Sequence, residues 1–566
     1  MTAIRHFSAT EKVVFTLFVA AFSVSALVMA WNVNKSFLLP VPAHGGVINE
    51  GVIGSPRFIN PILALSDVDR DLTSLVYSGL LKAENDELVP DLAQSYTISE
   101  DGLTYTFTLR DDIYFHDNTP ITADDVVFTI QKAQDAVLKS PRRANWDGVT
   151  VEKTAPNQIT FTLKKPYAPF IENTTMGILP RHIWKNVDVE QFTFSQFNVE
   201  PIGSGPYELK NIERDSGGLP QSYTLVPFKK YVGGEPYVKS IVIHFYPNEK
   251  LLGESYSEGI IEAMNGISPQ AAQKLDPART SVLRSPLPRV FGIFFNQNQA
   301  PVFSHKEVRQ AINMVIDRDR IVEEVLGGYG TPINGPMPSG ILSQGTTTPE
   351  EIAENSEERK AAAVELLEEN GWAINSEGVL EKKGKNQTEG ELLQFSLSTS
   401  NAPELKQAAE IIKEELAAIG AVVTVRIFES GDLNQNVIRP RKYDALLFGE
   451  IIGRDLDLFA FWHSSQRNDP GLNIAMYTNS KVDKLLEDAR TIADREERLE
   501  KYRQAEEAIN ADVPAVFLYS PDFIYALPTR VKGVTLDHIT TPSDRFDNVN
   551  SWYIHTDHVW KIFVNN

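Results

Sequence analysis

Residues 90–130 read PDLAQSYTISEDGLTYTFTLRDDIYFHDNTPITADDVVFTI. Within them TYTFTL at 104–109 alternates threonine with apolar or aromatic residues at a period of two, directly after the turn pair Asp101-Gly102, which predicts a strand. The stretch runs into a helix predicted over 122–134, where Thr122 stands at the cap and Asp124 and Asp125 oppose the positive end of the helix dipole. The same pattern continues outward. QITFTL at 158–163 follows the turn pair Pro156-Asn157 and predicts a second strand, and helices are predicted over 307–326, 356–369, 403–419, 481–493 and 496–509. Gly371 and Gly420 stand just after two of these, as helix stops should. The helix at 403–419 leads straight into AVVTVRIF at 421–428. Helices and strands therefore interleave, and the predicted class is α/β.

At 566 residues the chain exceeds what one core usually holds, so two to four compact units are expected. Hydrophobic residues at 42%, aromatics at 10% and charged residues at 23% are ordinary for a folded soluble body. A formal charge of -21, with no dense basic stripe to offset it, repels phosphate backbones, and nucleic acid is not an expected partner. With no cysteine the chain has no disulfide, no thiolate metal site, no cysteine nucleophile and no lipid-modified cysteine anchor. No fixed-period repeat is apparent, and the acidic run at 350–358 reads as a solvated helix face.

The N-terminal region has its own signature. Arg5, His6 and Lys12 precede a stretch from Val13 to Ala30 without a charge, interrupted only by Thr16, Ser23 and Ser25. Its length is that of a short bilayer span and exceeds a secretory h-region, so residues 13–31 are expected as a transmembrane anchor, with 1–12 cytoplasmic. Val28-Met29-Ala30 leaves signal-peptidase cleavage before Trp31 as the alternative. Residues 32–44, with Pro40 and Pro42, read as an extended tether.

Segments along the chain resemble the oligopeptide, dipeptide and nickel solute-binding proteins of bacterial ABC importers, family 5 of the extracellular solute-binding proteins. Residues 90–130 carry Arg110, Asp112, the Phe115-His116-Asp117 turn and the capped helix in the family's order, with Asn118 where a glycine is usual. Asn tolerates the left-handed backbone that such a turn needs. TFTLKKPYAPF at 160–170, GILPRH at 177–182, PIGSGPY at 201–207, YVGGEPY at 231–237, VRQAINMVID at 308–317, GGYGTPINGPMP at 327–338, YDALLF at 443–448 and DVPAVFLYSP at 512–521 follow in order. The resemblance implies a two-lobe, type II periplasmic-binding-protein-like clamshell. Lobe I would comprise 45–290, with an extra subdomain at about 87–192, and a return segment at 519–566. Lobe II would comprise 291–518, with hinges near 289–295 and 517–521.

It also implies a ligand held between the lobes, and the candidate contacts are Asn60, Gly203, Ser204, Gly205, Tyr207, Asn296, Glu450, Asp455, Trp462 and Tyr477. Gly203 and Gly205 either admit backbone donors to a ligand or serve tight-turn packing. Asn296 either binds a ligand amide or caps local backbone, and Trp462 and Tyr477 are either flat cleft walls or core. On this reading Gly205→Trp fills the cleft beside Tyr207. The carboxylate that meets a peptide α-amine in the family falls here near Ile452, so Glu450 or Asp455 would have to substitute, unless each is a turn or rim residue.

Other chemistry is weaker. Asp67, Asp69 and Asp71 have the spacing of a calcium loop, but Leu72 and Ser78 stand where its Gly and Glu belong. His555 and His558 lack the Glu of a zinc-protease helix, Gly203-Ser204-Gly205 lacks the spacing of a nucleophile elbow, and Gly327 to Gly330 lacks the Lys of a phosphate loop. The expectation is a substrate-binding protein without cofactor, metal or catalytic residue. It would be monomeric, membrane-anchored on the extracytoplasmic side, and partnered by an ABC permease and ATPase subunits and by a peptide or peptide-like solute. A solute sensor, a peptide-holding chaperone and a surface hydrolase are the alternatives.

Overall fold

The alternating run at 104–109 forms the strand Thr104–Leu109 in the computed structural model of the chain, which describes residues 8–84, 87–338, 356–383, 390–536 and 539–564. Tyr105, Phe107 and Leu109 turn into the core while the threonines between them stay half-buried, as a period of two requires. This strand pairs antiparallel with Ala93–Ile98 and Gln158–Thr162, and Thr150–Ala155 completes a four-stranded sheet. Helix Ala123–Gln134 packs on that sheet. Its start is held chiefly by Asp125, whose carboxylate accepts from the backbone N–H and the hydroxyl of Thr122 at 2.8 and 2.7 Å. Asn118, in the preceding turn, has φ 68°, the left-handed conformation that the turn was expected to need.

A mixed sheet of twelve strands spans the rest of the molecule. Its centre is the strand Ala515–Pro528, which serves both halves. Residues 515–519 pair with Phe291–Phe294 of the strand Arg289–Phe295, whereas Asp522–Pro528 pairs with Thr280–Pro286. The apolar cores divide at the same place. Residues between Ile48 and Leu287, with those between Phe523 and Trp552, make up one large core and a satellite around Leu252 and Ile524. Residues between Val290 and Tyr519 make up two others. Those two cover opposite faces of one sheet, since Ile293 and Phe295 enter one and Val290 and Phe294 the other. Two halves are therefore joined through residues 286–289 and 519–522, where short chain crossings let rigid bodies rotate without unpacking either core.

Several expectations are corrected. The helix read over 307–326 is two, Lys306–Val315 and Arg318–Leu326, because the Asp317 carboxylate accepts from the Arg320 N–H at 2.9 Å and so starts a new helix. The N-terminal helix is Ala9–Ser36, longer at both ends than its apolar stretch, opened by a Ser8–Glu11 capping box and with no buried residue. Its most apolar window has a mean hydropathy of 2.4. The extended tether over 32–44 is not free: residues to Ser36 are helical, and Leu38–Ala43 pairs antiparallel with His555–Trp560. Pro40 and Pro42 are accommodated because each strand of this two-stranded ribbon is an edge strand. The same ribbon puts His555 and His558 on opposite faces of a strand rather than together on a helical turn. Asp69 and Asp71 lie in helix Asp67–Val76 with protein partners, Asp69 accepting from Arg57 N and Phe58 N at 2.7 and 2.8 Å and Asp71 meeting Arg545, so no calcium loop forms. Of the acidic run, residues 350–355 lie outside the described residues, and 356–358 open helix Ser356–Glu369.

Candidate functional site

Helix Asp67–Val76 is fixed at its start by Ser66, whose hydroxyl accepts from Asp69 N at 3.1 Å, and this orients Arg70 and Thr73 toward a cleft. The cleft has a cavity volume of about 360 Å³ and is walled by both halves. The first half supplies Arg142, Asn145 and Glu172 from the subdomain around the four-stranded sheet, and Asp544 and Asp547 from the returning chain. The second supplies Gly453 and Arg454, in the turn after the strand Ala445–Ile451.

Two contacts join the halves across this cleft. The Arg454 guanidinium lies 3.2 Å from Asp544 Oδ2 and 3.8 Å from Asp547 Oδ2. Asp544 is held for that contact by a capping box, accepting from Thr541 N and from the Thr541 hydroxyl at 3.1 and 2.8 Å. Beside it, Arg490 is gripped by Asp457 through Nε and Nη2 at 2.8 and 2.6 Å, and its guanidinium stands over the ring of Tyr167 in the first half at 5.5 Å.

The charges balance. Arg70, Lys82, Arg142 and Arg454 face Asp91, Glu172, Asp544 and Asp547 in the same lining, four against four. The acids are not ordinary ones. Burial, reinforced by Asp455 opposite, pushes Glu172 up to about 8, and burial followed by repulsion from Asp457 pushes Asp455 up to about 6. Burial pushes Asp91 up to about 6 and Asp547 well above the carboxylate range. A cleft of this kind suits a solute carrying both charges and amide groups, because its acids can donate as well as accept near neutral pH.

The signature residues of 90–130 meet the glycine turn of 201–207 directly. His116 Nε2 lies 3.1 Å from Gly205 O and its Nδ1 accepts from Gly203 N at 3.3 Å, which places the proton on Nε2. Burial lowers His116 to about 4, so the ring stays neutral and acts as a clamp on the turn. The glycines are there for packing: a Cβ on Gly203 would overlap the Val76 carbonyl oxygen, and one on Gly205 would crowd the Leu75–Tyr77 backbone. Gly203→Ala is accordingly expected to lower the stability of this half by about 1–3 kcal/mol, read as a lower melting temperature with an unchanged fold for whatever remains native.

None of the ten residues singled out from the sequence lines the cavity. Asn60 is fully buried, with Nδ2 donating to Asn198 Oδ1 and Oδ1 accepting from Ile62 N. The Ser204 hydroxyl accepts from Ser78 N at 3.3 Å, and Tyr207 is core, its hydroxyl donating to Val238 O. Gly205→Trp would therefore break the turn rather than fill the cleft. Asn296 caps local backbone, accepting from Asn298 N and donating to Arg441 O. Trp462 packs among Phe294, Phe517 and Tyr477, and Tyr477 donates to Asp512 Oδ2 at 2.6 Å, so both are core of the second half. Glu450 is buried on its strand with neither oxygen hydrogen-bonded among the described residues, and burial pushes its carboxyl well above the usual carboxylate range. Asp455 faces Glu172 where the halves meet but does not line the cavity. Ile452 is fully buried, so no ligand group is met at that position.

What the sequence reading missed are Arg142, Glu172, Arg454, Asp544 and Asp547. One visible signal was Thr541-Pro542-Ser543-Asp544, a capping-box pattern outside any predicted helix.

The family described as bacterial extracellular solute-binding proteins, family 5 Middle, matches residues 87–470. The chain belongs to this family. The family 5 chain is 29% identical over 524 residues to the oligopeptide-binding protein AppA of Bacillus subtilis, covering 91% of this chain and 92% of that protein. The structure of AppA from Bacillus subtilis in complex with a nonapeptide superposes with a TM-score of 0.67 at 28% identity, covering 91% of this chain and 100% of that one. The ABC transporter substrate-binding protein CtaP from Listeria monocytogenes superposes with a TM-score of 0.75 at 27% identity, covering 90% and 99%. The two halves of this family 5 chain are thus the lobes of a type II periplasmic-binding-protein fold, built on mixed α/β sheets and preceded by an apolar N-terminal helix.

Proposed function

We propose that this family 5 protein is the substrate-binding component of an ABC-type importer, and that it captures peptides or peptide-like solutes between its lobes for a membrane permease driven by ATPase subunits. The observation that carries the reading is the cleft itself, lined by both lobes and bridged by Arg454, with four basic and four acidic residues in its walls. Lobe I comprises about 45–290, with a subdomain at about 87–192, and 519–566; lobe II comprises 291–518. Ile452 offers no carboxylate to an α-amine, and the solute's polar groups meet instead the mixed acids and bases of the cleft walls. A cavity near 360 Å³ is at the lower end of the range of roughly 300–1,000 Å³ for small-molecule sites, which favours a short solute. The role is binding without catalysis. Helix Ala9–Ser36 anchors the protein to the cell membrane with its lobes outside, as a monomer.

The test is native mass spectrometry on the full chain in detergent micelles, gently purified, to see what leaves with it. A set of peptide masses is the expected result. A single non-peptide mass overturns the solute class, and an empty protein that retains nothing from added peptide mixtures overturns capture.

A further inference from the structure

The ribbon that joins the two ends of the chain has a direction. Leu38 pairs with Trp560 and Ala43 with His555, so the strand His555–Trp560 runs toward the end of helix Ala9–Ser36 and not away from it. The Lys561 N–H then donates to Phe37 O at 2.9 Å, at the point where the helix stops. The 3₁₀ turn Lys561–Phe563 is therefore delivered to the exit of the apolar helix.

What arrives there is apolar and uncovered. Ile562 and Phe563 are 68% and 69% exposed, Trp560 is 47% exposed, and Val564 is exposed as well. Phe37, 53% exposed, stacks on Trp560 with ring centroids 6.1 Å apart and planes 20° apart, and Trp31 one turn and a half earlier is 63% exposed. A soluble surface gains nothing from such a concentration, since each large apolar side chain is stabilised by leaving water. The level along the helix normal explains it. The helix leaves its apolar stretch at Trp31, with Asn32, Asn34 and Lys35 beyond it, and the six residues to Phe37 rise about 9 Å at about 1.5 Å each. The polar layer of one leaflet is roughly 5–7 Å deep, half the difference between the whole bilayer and its hydrocarbon core. Phe37 thus stands about 2–4 Å beyond that layer and within side-chain reach of it, and the turn resting against it brings Trp560, Ile562 and Phe563 to the level where tryptophan rings and lysine ammonium groups are most at home. Lys35, 5.5 Å over the Trp31 ring, and Lys561 supply the cations.

We propose that residues 560–564 form a second membrane contact beside the helix, seated in the headgroup layer of the bilayer that the helix crosses. This rests on the reading of helix Ala9–Ser36 as a retained anchor. With Leu38–Ala43 locked into the ribbon, the two contacts fix how the lobes tilt over the membrane, in place of a loose tether.

The chain has no cysteine, so single substitutions can carry an environment-sensitive nitrobenzoxadiazole label. The full chain bearing Phe563→Cys, Ala20→Cys or Ser216→Cys is reconstituted into vesicles of phosphatidylcholine and phosphatidylglycerol, with and without lipid spin-labelled near the headgroup. The label at 563 is expected to emit at shorter wavelength than at 216 and to lose most of its intensity to the spin-labelled lipid, while the label at 216 loses none and the label at 20 reads as membrane-buried. A label at 20 that is buried with one at 563 that behaves like 216 overturns the second contact and leaves the anchor standing. Labels at 20 and 563 that both behave like 216 overturn the anchor and the contact together.

Discussion

Arg545→Met is expected to cost lobe I about 3–5 kcal/mol, because it leaves two buried carboxyl groups without their cation. Arg545 is wholly buried and reaches Glu50 Oε1 through Nε and Nη2 at 3.1 and 2.6 Å, and both Asp71 oxygens at 2.7 Å. The Tyr525 hydroxyl donates to Glu50 Oε2 at 2.8 Å and Asn265 Nδ2 to Asp71 Oδ2 at 3.1 Å, so every carboxylate oxygen of the pair is engaged. These groups come from strand Val47–Ile53, helix Asp67–Val76, strand Ala515–Pro528 and the turn Pro542–Phe546, and the cluster thereby ties the returning chain to the start of the body. The sign of the pH dependence follows. Burial raises Glu50 and Asp71, and Arg545 pulls both back. Without the arginine their folded-state values rise further above the unfolded ones near about 4, so the folded variant holds more protons than its unfolded form. Its stability then recovers as pH falls from 7 toward 5. Urea unfolding at both pH values measures this, and a lobe I midpoint equal to wild type at pH 7, or a deficit that widens on acidification, would contradict it.

Glu172→Gln is expected to remove most of the pH dependence of lobe closure. Glu172 lies on lobe I and Asp455 on lobe II, and where the lobes meet they are held at about 8 and about 6 by burial and by acidic neighbours, with each other's charge raising Glu172. Opening returns Glu172 to water and removes Asp455 from it, which brings it back toward about 4.3. The closed form is thus the form that binds protons, and closure weakens as pH rises from about 6 to about 8, by up to about tenfold for each pH unit per proton taken up. Neutral glutamine keeps the shape and removes that linkage. Small-angle scattering across this pH range should show the wild type opening as pH rises and the variant holding its radius. A wild-type radius independent of pH, or a variant that opens just as steeply, would sink the idea.

The fold was legible wherever a period was long enough to read. TYTFTL, QITFTL and AVVTVRIF became strands within a residue or so of their expected bounds, because alternation over six residues fixes both conformation and face. The 307–326 helix failed at Asp317, where a residue able to cap competes with continuation and a periodic apolar pattern cannot report it. The tether failed because its partner is more than five hundred residues away, and prolines that argue against a sheet interior say nothing against a two-stranded ribbon. The site was legible by segment and not by side chain. Pro61, Pro206 and Arg454 line the cleft while their neighbours Asn60, Gly205 and Asp455 do not, since all three pairs lie in turns or bends, where successive side chains leave the backbone in different directions. Arg142 and Glu172 had no local mark at all; Arg142 precedes the short helix Arg143–Trp146, Glu172 lies in the 3₁₀ helix Ala168–Thr175, and each gains its meaning from the lobe opposite.

The most direct test of capture between lobes uses the cysteine-free chain with Glu190→Cys on lobe I and Lys484→Cys on lobe II, both exposed, labelled with a donor and acceptor pair. The protein is stripped of solute and then given back the peptides recovered from its own purification. A saturable change in transfer efficiency, with the same midpoint as peptide binding measured calorimetrically and displaced when Arg454 is replaced by Ala, is the predicted result. Peptide binding with no change in transfer at any concentration would place the solute outside the cleft and contradict the account.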